Sequence, residues 1–199
     1  MRKYMIAALV LLLCTSAAVQ AGVPDPARSG CQLKGQGASC QYRFNAAGGL
    51  DCLSVCVTLR DIFDVPVPDC STSATINNLG AAFCSCCPQP QTGTTDSTGV
   101  VVFEFKKIGG RGTAEVCITA HCVGDIGICC ETFDFTSPDL DADCVDTDVI
   151  DLGIWAACLP PGPYCRESDF NCDGTVGVID LGIFASGLGT DCSSGIPCP

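Results

Sequence analysis

DFNCDGTVGVID, residues 169–180, places oxygen-bearing side chains at positions 1, 3, 5 and 12 of a twelve-residue loop: Asp169, Asn171, Asp173 and Asp180. Gly174 stands at position 6, where the chain must turn sharply, and Thr175 at position 7 offers its main-chain carbonyl. In such a loop alternate side chains converge on one point, which is the arrangement that wraps a chain around a calcium ion. The last ligand is Asp where Glu is usual, and it returns to the loop from the start of a helix.

The stretch that follows, VIDLGIFASGL (178–188), is echoed 29 positions earlier by VIDLGIWAACL (149–159), so the chain ends in a tandem repeat. Before the first copy, Asp139, Asp141 and Asp143 restore an acidic D-x-D-x-D run, with Cys144 where glycine is expected and Asp151 arriving one position late. A second register begins at Asp141, aligns Cys144 with Cys172 and leaves the loop one residue short. Two halves written D-x-N-x-D-G and then Asp-Leu, each an EF-hand-type loop entering a helix, resemble the type I dockerin module over residues 139–192. That resemblance implies Ca2+ in both loops, held by Asp169, Asn171, Asp173, Thr175 and Asp180 and by Asp139, Asp141, Asp143 and Asp151. It also implies a cohesin-like partner selected by loop positions 10 and 11, here Val178 and Ile179 in the second loop and Val149 and Ile150 in the first. Apolar pairs at both places imply a docking surface usable in two orientations. The helices, expected over 151–159 and 180–188, would pack through Leu152, Ile154, Trp155, Leu181, Ile183 and Phe184.

The first 21 residues, MRKYMIAALVLLLCTSAAVQA, combine Arg2 and Lys3, an apolar run and a small-residue exit at Ala21, and read as a cleaved signal peptide. No later stretch is long and apolar enough to suggest a membrane span, and Leu13 before Cys14 argues against a lipid anchor. The expectation is a secreted protein, extracellular or at the cell surface. Setting Cys14 aside, 18 of the 19 cysteines remain, allowing up to nine disulfides in an oxidising compartment. A single histidine, His121, and oxidised thiols argue against structural zinc. Without Arg2 and Lys3, 22 acidic residues face 8 basic ones, and net −10 of the resulting −14 lies from Ser137 onward. Such a field repels nucleic acid and attracts divalent cations.

Residues 29–136 form a second unit, preceded by an extension at 22–28 and followed by the repeat module at 137–192 and a tail at 193–199. Short β-prone runs at 53–59, 74–76, 100–105, 114–120 and 131–135 alternate with Gly, Pro, Asp and Ser clusters, which favours an antiparallel sandwich. VTLRD (57–61), then PVP (66–68), then TTDSTGV (94–100) and GTAEV (112–116) resemble the immunoglobulin-like repeats of bacterial surface adhesins and exported enzymes. The fold class expected is therefore mainly β, an immunoglobulin-like antiparallel β-sandwich with disulfides, followed by a small α-helical dockerin-like module. Asp96 can cap its own turn and Gly99 can take the positive φ that the turn needs.

No nucleophile elbow and no phosphate-cradling glycine loop occurs in the sequence. His121 lies between Cys117 and Cys122, whose thiols are expected in disulfides and so cannot serve as a thiolate nucleophile. The basic cluster Lys106, Lys107 and Arg111 among glycines reads as a solvated hairpin tip, and Ser137-Pro138 as a hinge. The sequence thus points to a secreted, non-catalytic, calcium-binding protein, and the dockerin resemblance implies docking in an extracellular or cell-surface assembly and a link to polysaccharide degradation. The alternative is a structural matrix protein, adhesin or carbohydrate-binding protein in which calcium only rigidifies the tail.

Overall fold

Along β3 (Leu53–Thr58), Leu53, Val55 and Val57 are buried while Ser54, Cys56 and Thr58 are half-buried, the alternation of a strand with one face on a core. This strand belongs to a computed structural model that describes residues 22–35, 40–44 and 52–191. The leader at 1–21 with Cys14, the tail at 193–199 and Cys192 and Cys198 lie outside the described residues.

β3 lies between β1 (Gly30–Gly35) and β7 (Val100–Phe105) in a three-stranded antiparallel sheet. The second sheet runs β2-β9-β8-β4-β6, from β2 (Tyr42–Arg43), β9 (Ile126–Thr136), β8 (Ile108–Ala120), β4 (Ser71–Asn78) and β6 (Gln91–Thr94), with β5 (Ala82–Ser85) also on β8. Val55, Val57, Phe103 and Phe105 from the first sheet share one core with Ala74, Ile76, Val116, Ile118, Phe133 and Phe135 from the second. All five expected runs lie within or across strands. The second sheet is not wholly antiparallel, because β2 runs parallel to β9.

At one end of the sheets the expected turn forms. The Asp96 carboxylate accepts from the Thr98 and Val100 amides, and Gly99 takes φ 76°. A side chain at 99 would strike the Leu59 carbonyl, so the turn packs against the chain near Pro66 and Val67. The basic cluster is different from its expectation. Lys107 is buried, and Gly109, Gly110 and Arg111 belong to β8. Glycine is required there because a β-carbon at 109 would strike the Asp139 carboxylate and one at 110 the Ala82 carbonyl. Gly110 N also donates to the Asp139 carbonyl, seating the acidic tail on that strand.

Beyond β9 the chain enters α1 (Val149–Ala156), a 3₁₀ turn (Arg166–Ser168) and α2 (Val178–Gly187). Trp155 and Phe184 stack with centroids 6.2 Å apart, and Leu140, Cys158, Phe170 and Val176 complete a second core. Leu152, Ile154 and Ile183 pack against this core as expected. Leu181 does not, being 38% exposed because it falls on the outer side of α2. Ser137 and Asp139, flanking the expected hinge at Pro138, are fully buried.

Six disulfides join described cysteines. Cys31–Cys129, Cys70–Cys122 and Cys117–Cys130 lie within the β region, and Cys158–Cys165 closes the segment between the helices. Cys84–Cys144 and Cys40–Cys172 cross from the β region to the tail, 60 and 132 residues apart in sequence. Cys86 and Cys87 are also disulfide-bonded, whereas Cys52 and Cys56 carry free thiols. Among the described residues no helix is long and apolar enough to cross a membrane.

Candidate metal centre

The two acidic loops fold alike, hydrogen bond by hydrogen bond. In the second, Gly174 N donates to Asp169 Oδ2 at 2.9 Å, Asp173 N to Asn171 Oδ1 at 3.0 Å and Thr175 N to Asp173 Oδ1 at 2.9 Å. In the first, Cys144 N donates to Asp139 Oδ2 at 3.2 Å, Asp143 N to Asp141 Oδ1 at 3.1 Å and Val145 N to Asp143 Oδ1 at 2.8 Å. The matching register therefore begins at Asp139 and places Cys144 opposite Gly174. The extra residue falls later, where Asp146-Thr147 stands against Val176 alone. Thr147 is buried and pinned to the end of α2, donating to the Thr190 carbonyl and accepting from Gly189 N.

The closing carboxylates act in the same way. Asp180 accepts from Asn171 N at 3.1 Å and Gly177 N at 2.8 Å, and Asp151 accepts from Asp141 N and Asp148 N, both at 2.9 Å. Each ties the start of its loop to the first turn of the following helix, where an acid also suits the helix dipole. The backbone repeats as well: position 4 is left-handed in both loops (Ala142 φ 63°, Cys172 φ 59°), and so is position 6 (Cys144 φ 57°, Gly174 φ 87°).

Electrostatically the first loop gathers negative charge at one point. One carboxylate oxygen each from Asp139, Asp141 and Asp143 lies within 4.8 Å of the others. Asp139 is fully buried, and its Oδ1 has no hydrogen-bond partner. Burial first, then the charge of Asp151 and more weakly those of Asp143 and Asp141, push the Asp139 carboxyl up to about 7, against the opposing Cys144 amide. Burial also raises Asp151. A buried carboxylate with an orphan oxygen among three like charges is stabilised by a cation, and an all-oxygen set suits a hard one such as Ca2+. The residues present therefore fit the ion.

In the second loop Asp169 and Asp180 are buried while Asn171, Asp173 and Thr175 lie nearer solvent. Tyr164, which sequence reading passed over, donates its hydroxyl to Asp169 Oδ2 at 2.8 Å. Leu140 and Phe170, each at position 2 of its loop and fully buried, were also missed, although their equivalent places in the repeat carry that signal. The four residues expected to dock a partner are exposed: Val149 76%, Ile150 56%, Val178 82% and Ile179 59%. They do not cover the helix packing.

His121 has a different setting from a cysteine dyad. Its neighbours Cys117 and Cys122 are both in disulfides. Its Nε2 is 2.8 Å from Ser73 Oγ and its Nδ1 is 2.7 Å from Asp125 Oδ1. Asp125 is largely exposed, and Ser73 is nearly buried beneath the imidazole.

With these sites placed, comparison with known proteins found no family model that matches the chain and no curated protein similar to it.

Proposed function

We propose that this is a secreted, non-catalytic calcium-binding protein whose tail is a dockerin-like module that docks onto a cohesin-like domain in an extracellular or cell-surface assembly. The observation that carries the reading is the paired hydrogen-bond pattern of the two loops, with the buried, unpartnered oxygen of Asp139 at the head of the first. Asp139, Asp141, Asp143 and Asp151 would hold one ion, and Asp169, Asn171, Asp173, Thr175 and Asp180 the other. Bound calcium supplies charge compensation and rigidity there. The chain's own contribution is to aim the carboxylates, close each loop on its helix and present Val149, Ile150, Val178 and Ile179 to solvent. The β region, two sheets around one core, fits an immunoglobulin-like scaffold that carries the module. The six disulfides between described cysteines support an oxidising, extracellular setting.

The test is calorimetric titration of the whole oxidised chain with calcium, with and without Asp169→Ala and Asp173→Ala. Two sites in the parent and one in the variants support the reading; no binding by the parent sinks it. Capture of a cohesin domain, strengthened by calcium, tests the docking half.

A second reading, acyl transfer, is favoured by the Ser73–His121–Asp125 relay alone. Labelling of Ser73 by a fluorophosphonate, lost in His121→Ala, would establish it. The non-catalytic reading expects no labelling.

A further inference from the structure

Neither acidic loop satisfies its backbone with glycine alone. Position 4 is left-handed at Ala142 and Cys172, and position 6 of the first loop is left-handed at Cys144, where the second loop has Gly174. A non-glycine residue in that conformation is disfavoured by contact between its β-carbon and the chain. Two of these three strained residues are cysteines, and both are bonded to the β region: Cys144 to Cys84 on β5 and Cys172 to Cys40 beside β2. One staple therefore serves each loop.

Further contacts hold the loops in the same conformation. Cys84 Sγ lies 3.4 Å from Asp139 Oδ2, the oxygen that also accepts from Cys144 N. Gln41 Nε2, next to Cys40, donates to the Asp169 carbonyl at 3.1 Å and to the Arg166 carbonyl at 3.0 Å. Thus the first residue of each loop is reached through a staple or its immediate neighbour, Asp139 at its carboxylate and Asp169 at its main-chain carbonyl. Asp139, fully buried and with its Oδ1 lacking a hydrogen-bond partner, contributes a carboxylate oxygen to the first loop's acidic cluster.

We infer that the disulfides Cys84–Cys144 and Cys40–Cys172 each preorganise one loop for cation capture, holding the left-handed residue before the ion arrives. This rests on the reading of the loops as calcium sites and adds to it the source of their affinity. In an unstapled loop the ion must supply the free energy that orders the chain. Here the β region supplies part of it, and the two sites are set independently.

The experiment is calcium titration of the whole oxidised chain as parent, as C84S/C144S and as C84S/C144G, with the matching set C40S/C172S and C40S/C172G. Each serine pair is expected to weaken one site by about tenfold or more and leave the other unchanged. Glycine at 144 or 172, which adopts the left-handed conformation without a staple, is expected to restore most of the loss. Serine variants that bind both ions as the parent does, or glycine variants no better than serine, overturn the inference. A parent that binds nothing overturns the calcium reading itself, and is seen before any cysteine is changed. Where a variant fails to fold, amide exchange in the metal-free parent decides. The Cys144 and Gly174 amides, bonded to Asp139 and Asp169, must be protected without calcium, and free exchange there overturns preorganisation.

Discussion

The carboxylate of Asp139 occupies the space that a β-carbon on Gly109 would fill, with Cys84 Sγ against the same place at 2.6 Å. The first acidic loop is therefore seated on the floor of β8, and a glycine in the β region decides where a carboxylate of the tail can stand. Gly109→Ala is expected to cost about 1–3 kcal/mol through overpacking. It should also weaken cation binding at the first loop alone. Urea denaturation and calcium titration of the same variant check both parts.

Trp155 is the chain's single tryptophan and stacks on Phe184 across the two helices. Phe184→Ala should remove that packing and destabilise the tail by about 3–5 kcal/mol. The Trp155 emission should shift to the red and its unfolding midpoint should fall.

Ile150 and Ile179 are exposed at equivalent places in the first turns of the two helices. Changing both to Asp is expected to leave stability within about 0.5 kcal/mol, because neither contributes to the core. The same variant should abolish capture by a cohesin domain. A large loss of stability would mean that these residues serve packing rather than docking.

Arg166 of the 3₁₀ turn grips Asp134 of β9, with both nitrogen–oxygen pairs at 3.0 Å. Burial raises the Asp134 carboxyl, but hydrogen bonds from the Thr113 hydroxyl and the Arg166 guanidinium outweigh it and hold the group below its ordinary range. A depressed folded value means that the clamp stabilises the fold above the unfolded carboxyl pKa and that this contribution is lost as pH falls through the folded value. In Arg166→Gln the Asp134 titration, followed by carbon NMR, should move up, and acid unfolding should begin at higher pH.

Much of the candidate site was legible because its information is local. Oxygen-bearing side chains at alternate positions, a glycine at the turn and the opening of the following helix lie within a dozen residues of one another. The Asp96–Gly99 turn was legible for the same reason. The register of the first loop was not, because Cys144 in place of glycine and one added residue leave two alignments equal in sequence. Matching hydrogen bonds to Asp139, Asp141 and Asp143 decide between them. The basic glycine-rich run misled for a related reason: Lys107, Gly109 and Gly110 have the composition of a hairpin tip, but Lys107 is buried, and Asp139 and Ala142 from far along the chain close over Gly109 and Gly110.

By itself the sequence determined the alternating strands, the two loop-helix halves and the acidic residues that face into each loop, since periodicity and spacing act between near neighbours. Only the tertiary structure decided which cysteines pair, which glycine yields space to Asp139, and that the expected hinge at Pro138 is a buried junction. Those outcomes depend on residues far apart in the chain being brought into contact, 60 and 132 positions apart in the two disulfides that reach the tail. Many pairings of cysteines are compatible with one sequence, and packing of the shared cores selects among them.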